Sequence, residues 1–254
     1  MQFRHTPDGA RSYLELGQHY LSCGDLDRAE YCFRAAVSLF ERFSLNRPLA
    51  RACDNLGIIA HSRWSLNEAE VWFARAHALY EALGIEAEAA EAAHHLGIVT
   101  FHLQRFDDSE RWIKTAMSRR GRLMRALDLA LDCHRMGAVA QERGQVDQAQ
   151  AWYLRALNLF ESQGSPTAMA FTLAQLGLLA VRRQCHEDGL RWLAAAFRLT
   201  AEAEAAPARD NTLIIMTRLF IDLGRDEFET LWESCEPAIP PPTGLLEGFL
   251  HRIQ

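Results

Sequence analysis

Glycine stands at residues 17, 57, 97, 137 and 177, and tryptophan at 72, 112, 152, 192 and 232. Both sets advance by forty residues. A fixed step of that size means one supersecondary unit copied along the chain. Each copy is too small to bury its apolar face alone and must stack on its neighbours. The 254 residues are therefore expected to form an array of units and not a single globular core.

With the repeated glycine set as position 8, position 7 reads Leu16, Leu56, Leu96, Met136 and Leu176. Position 20 reads Ala29, Ala69, Ser109, Ala149 and Gly189, position 24 reads Phe33, Phe73, Ile113, Tyr153 and Leu193, and position 27 is alanine throughout, from Ala36 to Ala196. Each unit thus carries two apolar stripes at helical spacing, separated by a turn such as Cys23-Gly24-Asp25-Leu26. Small residues at positions 8, 20 and 27 let two helices approach closely, and the large side chain at 24 fills the space between them. The pattern predicts helix pairs at 8–22 and 26–42, 48–63 and 66–83, 87–103 and 107–119, 123–143 and 146–163, 166–183 and 186–202, with a divergent pair at 207–223 and 226–236. Breaks are expected at Asn46-Arg47-Pro48, Gly84, Gly121 and Gly164-Ser165-Pro166.

The leucine-glycine of the first helix, with alanine, a large residue and alanine in the second, resembles the tetratricopeptide repeat from about residue 9 to 236. The usual unit of that family has 34 residues. The longer unit here is similar to those of kinesin light chains and of the sensor regions of bacterial regulators. The resemblance implies an all-α, right-handed α-α superhelix, or solenoid. It would hold five hairpins, with units near 8–47, 48–86, 87–122, 123–165 and 166–206, and a degenerate sixth at 207–236. The sixth has Thr217 in place of the glycine and Glu236 in place of the alanine, which suits a terminal cap. The tryptophans at position 23 are read as packing between successive units. Residues 237–254 read as a proline-rich linker and a short amphipathic segment with Leu245, Leu246, Phe249, Leu250 and Ile253 at helical spacing. That segment either folds back on the last hairpin, the preferred expectation, or docks on another molecule, which would make a homo-oligomer.

Charge and composition narrow the partners. The net charge is -6, without the basic surface that supplies most affinity for nucleic acid, so no nucleic-acid partner is expected. Lys114 is the only lysine. No run has the eighteen apolar residues of a membrane span, and the start, MQFRHTPDGAR, carries no apolar signal core. A cytoplasmic protein without membrane contact is the expectation. The six cysteines form no CxxC pair and are read as reduced and buried. Asp107-Asp108 and Glu187-Asp188 fall where second helices begin and complement the helix dipole. Arg111, Arg119, Arg120, Arg122 and Arg125 are read as a solvated charge cluster.

By the geometry that the resemblance implies, first helices line a concave groove with positions 2, 5, 6, 9, 12 and 13. The candidate binding residues are Arg51, Asp54, Asn55 and His61 in the second unit, and Glu91, His94, His95, Ile98, Phe101 and His102 in the third. The fourth adds His134, Arg135, Gln141 and Glu142, and the fifth Gln175 and Arg182. Amides and guanidiniums of this kind would hold the backbone and carboxylates of an extended segment, and histidines in such number would change charge between pH 5 and 8. Asp54, His94 and His134 recur at position 5 as a nominal metal set. Adjacent helices about 8–10 Å apart cannot bring three such ligands to bonds of about 2 Å. No metal, cofactor or catalytic residue is expected. A phosphate-cradling GxxxxGK, an HExxH and a GxSxG are absent from the sequence. The resulting expectation is a non-catalytic scaffold that binds a protein or peptide. The alternatives are a sensor of a small molecule or signalling peptide, and an enzyme with a histidine-lined site.

Overall fold

A computed structural model of the chain describes residues 6–202, 206–236 and 239–253. Among the described residues the regular elements are thirteen α-helices: α1 Pro7–Ser22, α2 Leu26–Arg42, α3 Asn46–Ser62, α4 Leu66–Ala82, α5 Glu86–His102, α6 Phe106–Arg122, α7 Ala126–Glu142, α8 Val146–Ser162, α9 Pro166–Arg182, α10 His186–Glu202, α11 Ala206–Leu223, α12 Arg225–Cys235 and α13 Thr243–Ile253. They group in two compact units, residues 1–125 and 126–254. The first holds α1 to α6 and the second α7 to α13.

The backbone repeats at half the sequence period. From α2 to α10 every helix has 17 residues. Three residues join each helix to the next as far as α10. The middle one adopts the left-handed conformation at Gly24, Ser44, Trp64, Gly84, Gln104, Met124, Gly144, Gly164 and Gln184. At each join the same two backbone bonds close the helix. Gly24 N–H donates to Leu21 O at 3.0 Å and Asp25 N–H to Tyr20 O at 2.9 Å, and Arg105 N–H donates to Thr100 O at 2.9 Å. This pairing satisfies the last carbonyls of the helix. Glycine suits the left-handed residue because it lacks Cβ. Five of these nine joins use another residue, so the turns cannot be found from glycine alone.

The forty-residue glycines have a different role. A Cβ built on Gly57 would lie 2.7 Å from the Phe73 ring, and one on Gly97 would lie 2.5 Å from Ile113 Cγ1. Gly137 meets Tyr153 at 2.6 Å in the same way. The expected partnership of a missing side chain at position 8 with a large one at 24 is therefore direct contact. Ser109 extends it by donating its buried hydroxyl to Gly97 O at 2.7 Å.

The tryptophans pack where successive hairpins meet, as expected. Trp72 lies against the cluster containing Phe33, Phe40 and Tyr80, Trp112 against Phe73 and Leu96, and Trp152 and Trp192 against Tyr153 and Leu176. Trp232 is fully buried. Three local expectations need correction. Asn46-Arg47-Pro48 opens α3 instead of preceding it, because a proline in the first turn lacks an N–H that would be unpaired anyway. Gly121 does not break α6, which runs to Arg122, because the left-handed residue is Met124. Cys23 and Cys185 are exposed, whereas Cys32, Cys53 and Cys133 are buried as expected.

The C-terminal segment folds back. Leu246 of α13 is fully buried in the cluster of Leu213, Met216, Phe220, Phe228 and Trp232. Trp232 Nε1 donates to Ile239 O at 2.7 Å, and Arg225 forms an ion pair with Glu247. Positions 237 and 238 of the linker lie outside the described residues. No helix among the described residues is long and apolar enough to cross a membrane.

Candidate functional site

In the first unit α3 and α5 meet along one face. Asp54, Asn55 and His61 on α3 are half-buried, as are His94, His95, Ile98, Phe101 and His102 on α5, while Arg51 and Glu91 are exposed. Asp54 Oδ1 approaches His95 Nδ1 at 3.5 Å. His95 also packs on the Phe73 ring with centroids 4.7 Å apart. His61 and His102 lie 5.5 Å apart, and the Trp64 ring sits 4.8 Å from His102. The Asn55 amide donates to Arg51 O of its own helix at 2.7 Å. Most of these groups are thus engaged with neighbours on the same face.

The second unit begins with α7, where His134 and Arg135 fall. Neither is an open groove residue. His134 Nδ1 lies 3.0 Å from Thr172 Oγ1, and its ring packs 5.2 Å from that of Tyr153. Burial, helped by the Arg135 charge, pushes the imidazole pKa down to about 4. The expectation that the groove histidines change charge between pH 5 and 8 therefore fails for His134. Arg135 is itself held below its ordinary pKa by burial. Gln141 accepts from Tyr153 Oη at 3.3 Å, and Glu142 is exposed.

A cleft of about 510 Å3 opens between α9 and α11. It contains the expected residues Gln175 and Arg182, and adds Leu178 and Val181 from α9 and Asn211, Ile214, Ile215, Arg218 and Asp222 from α11. Ile214 is 56% exposed and Ile221, two turns further on, is 59% exposed. Asn211 Nδ2 is shielded from solvent and finds no acceptor among the described residues. Counted from Thr217 as position 8, Asn211, Ile214, Ile215, Arg218 and Asp222 fall at positions 2, 5, 6, 9 and 13. These are the groove positions of the preceding units. The signal is present in the sequence, but loss of the glycine and alanine makes the sixth pair read as a cap.

Several arginines outside the cleft are paired with carboxylates. Arg63 pairs with Asp27 and Glu30, Arg105 with Glu70 at 2.8 Å, and Arg183 with Asp147. Arg182 and Arg218 have no hydrogen-bond or ion-pair partner among the described residues. A larger cavity, about 590 Å3, runs along α6 beside the expected arginine cluster. There Arg111 pairs with Asp108 at 2.7 Å, Lys114 with Glu110 at 2.6 Å, Arg119 with Glu81 at 2.5 Å and Arg122 with Glu86 at 3.0 Å. Its charge is balanced within the protein. Among the described residues, no group of three or more His, Cys, Asp or Glu side chains is placed to hold a metal ion.

Paired helices in register, a contact glycine per hairpin and a cleft between first helices define a helical-hairpin repeat protein. Two tetratricopeptide-repeat models match it, over residues 10–42 and 49–83. Residues 10–42 and 49–83 thus carry tetratricopeptide repeats. Solved structures share its fold at low identity. BtubC (BKLC) from P. vanneervenii is 19% identical, with a TM-score of 0.69 over 79% of this chain and 84% of that one. The apo form of RapI is 12% identical, with a TM-score of 0.78 over 89% and 81%. The Rap conjugation gene regulator of plasmid pLS20, in complex with the Phr* peptide, is 13% identical, with a TM-score of 0.63 over 95% of this chain and 62% of that one. No curated protein matches in sequence.

Proposed function

We propose that the chain is a non-catalytic scaffold that binds a peptide or protein segment on the face of its first helices, with its main anchor in the cleft between α9 and α11. The observation that carries this reading is the cleft itself, where the exposed Ile214 and half-buried Leu178 and Val181 lie beside unpaired guanidiniums. Its volume falls in the range of about 300–1,000 Å3 that suits ligand sites. An aliphatic side chain seated on Ile214 and Leu178 would contribute about 1.5–3 kcal/mol, and a few such anchors dominate binding of this kind. Asp54, Asn55, His61, His94, His95, Phe101 and His102 offer a second, more polar surface within the first unit. The Rap regulator, similar in fold, is seen with a peptide.

The test is capture of peptides from a defined synthetic array by the full chain, with Ile214→Asp as the comparison. The substitution lies on an exposed position, so helicity by circular dichroism should not change. Wild type is expected to retain a subset of peptides that the variant loses. Equal retention by a folded variant would move the binding surface elsewhere.

A further inference from the structure

The cavity along α6 carries charges in an order that complements itself. From that order we infer that α6 is a self-association face, on which a second copy of this chain docks about a two-fold axis with the two α6 helices antiparallel. The inference stands apart from the binding reading above, because it concerns the first unit and not the cleft between α9 and α11.

The cavity is lined by one helix face, from Asp107 to Arg122. That face is about 22 Å long. The side chains of Arg111, Lys114 and Arg122 on it are 69%, 60% and 57% exposed. A closed dimer joins the same patch on both copies, so residues equidistant from the axis must suit each other. With the axis between Lys114 and Thr115, Asp107 of one copy lies opposite Arg122 of the other, and Glu110 lies opposite Arg119. Nearer the axis, Arg111 faces Ser118 and Lys114 faces Thr115. Acids thus meet bases at both ends, and small hydroxyl residues leave room for the basic side chains in the middle. Packed helices lie about 8–10 Å apart, a gap that an arginine and a carboxylate side chain span together.

The other second helices lack this pattern. The same construction on α2 sets Asp27 against Arg42 but Glu30 against Leu39. On α4 and α8 it brings no opposite charges together, and on α10 it sets Glu187 against Glu202 and Arg191 against Arg198. The helix dipole by itself favours acids at the start of a helix and bases at its end. It does not require Arg119, which stands where the other units have Leu39, Leu79, Leu159 and Leu199. Arg119 already meets Glu81 at 2.5 Å, and Arg122 meets Glu86 at 3.0 Å. A guanidinium has five N–H donors, so each arginine keeps that bond and adds a charge-assisted one to a carboxylate of the other copy. A dimer of this kind presents two copies of the peptide cleft to a partner with two matching segments.

Exposed ion pairs contribute little each, so the dimer is expected to form with a Kd on the order of 100 µM. Sedimentation equilibrium of the full chain, from about 10 µM to about 1 mM, should show the mass rising from 28.8 kDa toward twice that value. Ser118 is exposed, so its substitutions should leave helicity by circular dichroism unchanged. Ser118→Glu sets an acid against Arg111 at both ends and should tighten the dimer about fivefold, whereas Ser118→Arg sets like charges there and should weaken it by about as much. Asp107→Arg with Glu110→Arg makes the face basic, and Arg119→Glu with Arg122→Glu makes it mostly acidic. Each double variant alone should stay at 28.8 kDa, and an equimolar mixture of the two should associate. If the second pair fails to fold for want of its bonds to Glu81 and Glu86, the two Ser118 variants decide the matter. A chain of one mass at every concentration, a dimer indifferent to both Ser118 substitutions, or a mixture of folded double variants that does not associate would overturn the inference.

Discussion

The two units use one scaffold and present different chemistry on the same helix positions. In the first, side chains of that face turn toward each other: Asp54 meets His95, and His61, His102 and Trp64 form a ring cluster. In the second, α9 and α11 leave Ile214 exposed beside Arg182 and Arg218, which have no ion pair among the described residues. The difference shows that polar composition does not by itself mark a binding face. Five of the ten histidines fall on groove positions, yet ring stacking and hydrogen bonds engage most of them. The groups that stay available are those whose neighbours cannot complement them.

The largest effect should come from a feature that both units share. Gly97→Ala in the first unit and Gly137→Ala in the second each drive a methyl into the facing side chain, at 2.5 Å from Ile113 and 2.6 Å from Tyr153. Each should lower stability by about 3 kcal/mol in urea titrations followed by tryptophan fluorescence. A loss confined to one unit would break their structural equivalence.

Acid should separate them next. His134 has a folded pKa of about 4, against an ordinary 6.5. Between those values the unfolded chain binds a proton that the folded chain does not. Stability is therefore full above about pH 6.5 and falls toward pH 4, by about 3 kcal/mol at most. His77, in the first unit, is shifted the same way by burial, with smaller effect. A His134→Gln variant should show a flatter pH dependence of melting temperature than wild type. Identical slopes would mean that His134 is not the buried neutral group described.

Binding should then distinguish the faces. Ile214→Asp is expected to weaken peptide affinity tenfold or more, on the order of the loss of one hot-spot anchor, whereas His94→Ala with His95→Ala should change it about twofold. Fluorescence anisotropy measures both. A reversal of that order would move the anchor to the first unit. The smallest effect concerns the turns. Met124→Gly and Gln184→Gly relieve left-handed residues, of which Met124 is 90% exposed, and should each add about 0.5 kcal/mol in thermal unfolding. Trp64→Gly should gain nothing, since it also removes the ring that packs on His102.

The repeated residues make the hairpin array legible in the amino-acid sequence. A glycine that faces a large residue in every unit is a packing rule, and packing rules survive as sequence periods. Helix ends are less legible at Pro48 and Gly121, because a backbone turn closed by its own hydrogen bonds makes weak demands on residue type. The site is half legible. Gln175 and Arg182 follow from the groove positions, but Asn211, Ile214 and Arg218 are hidden because α11 has lost the small residues that mark a unit.

Sequence alone determined the hairpin, its step and the residues that face each other within it, because local periodicity and steric fit leave one arrangement. Only the tertiary structure decided which polar side chains remain unpaired. Whether His134 reaches Thr172, or Arg182 reaches a carboxylate, depends on atoms brought together from different helices, and no spacing along the chain encodes that distance.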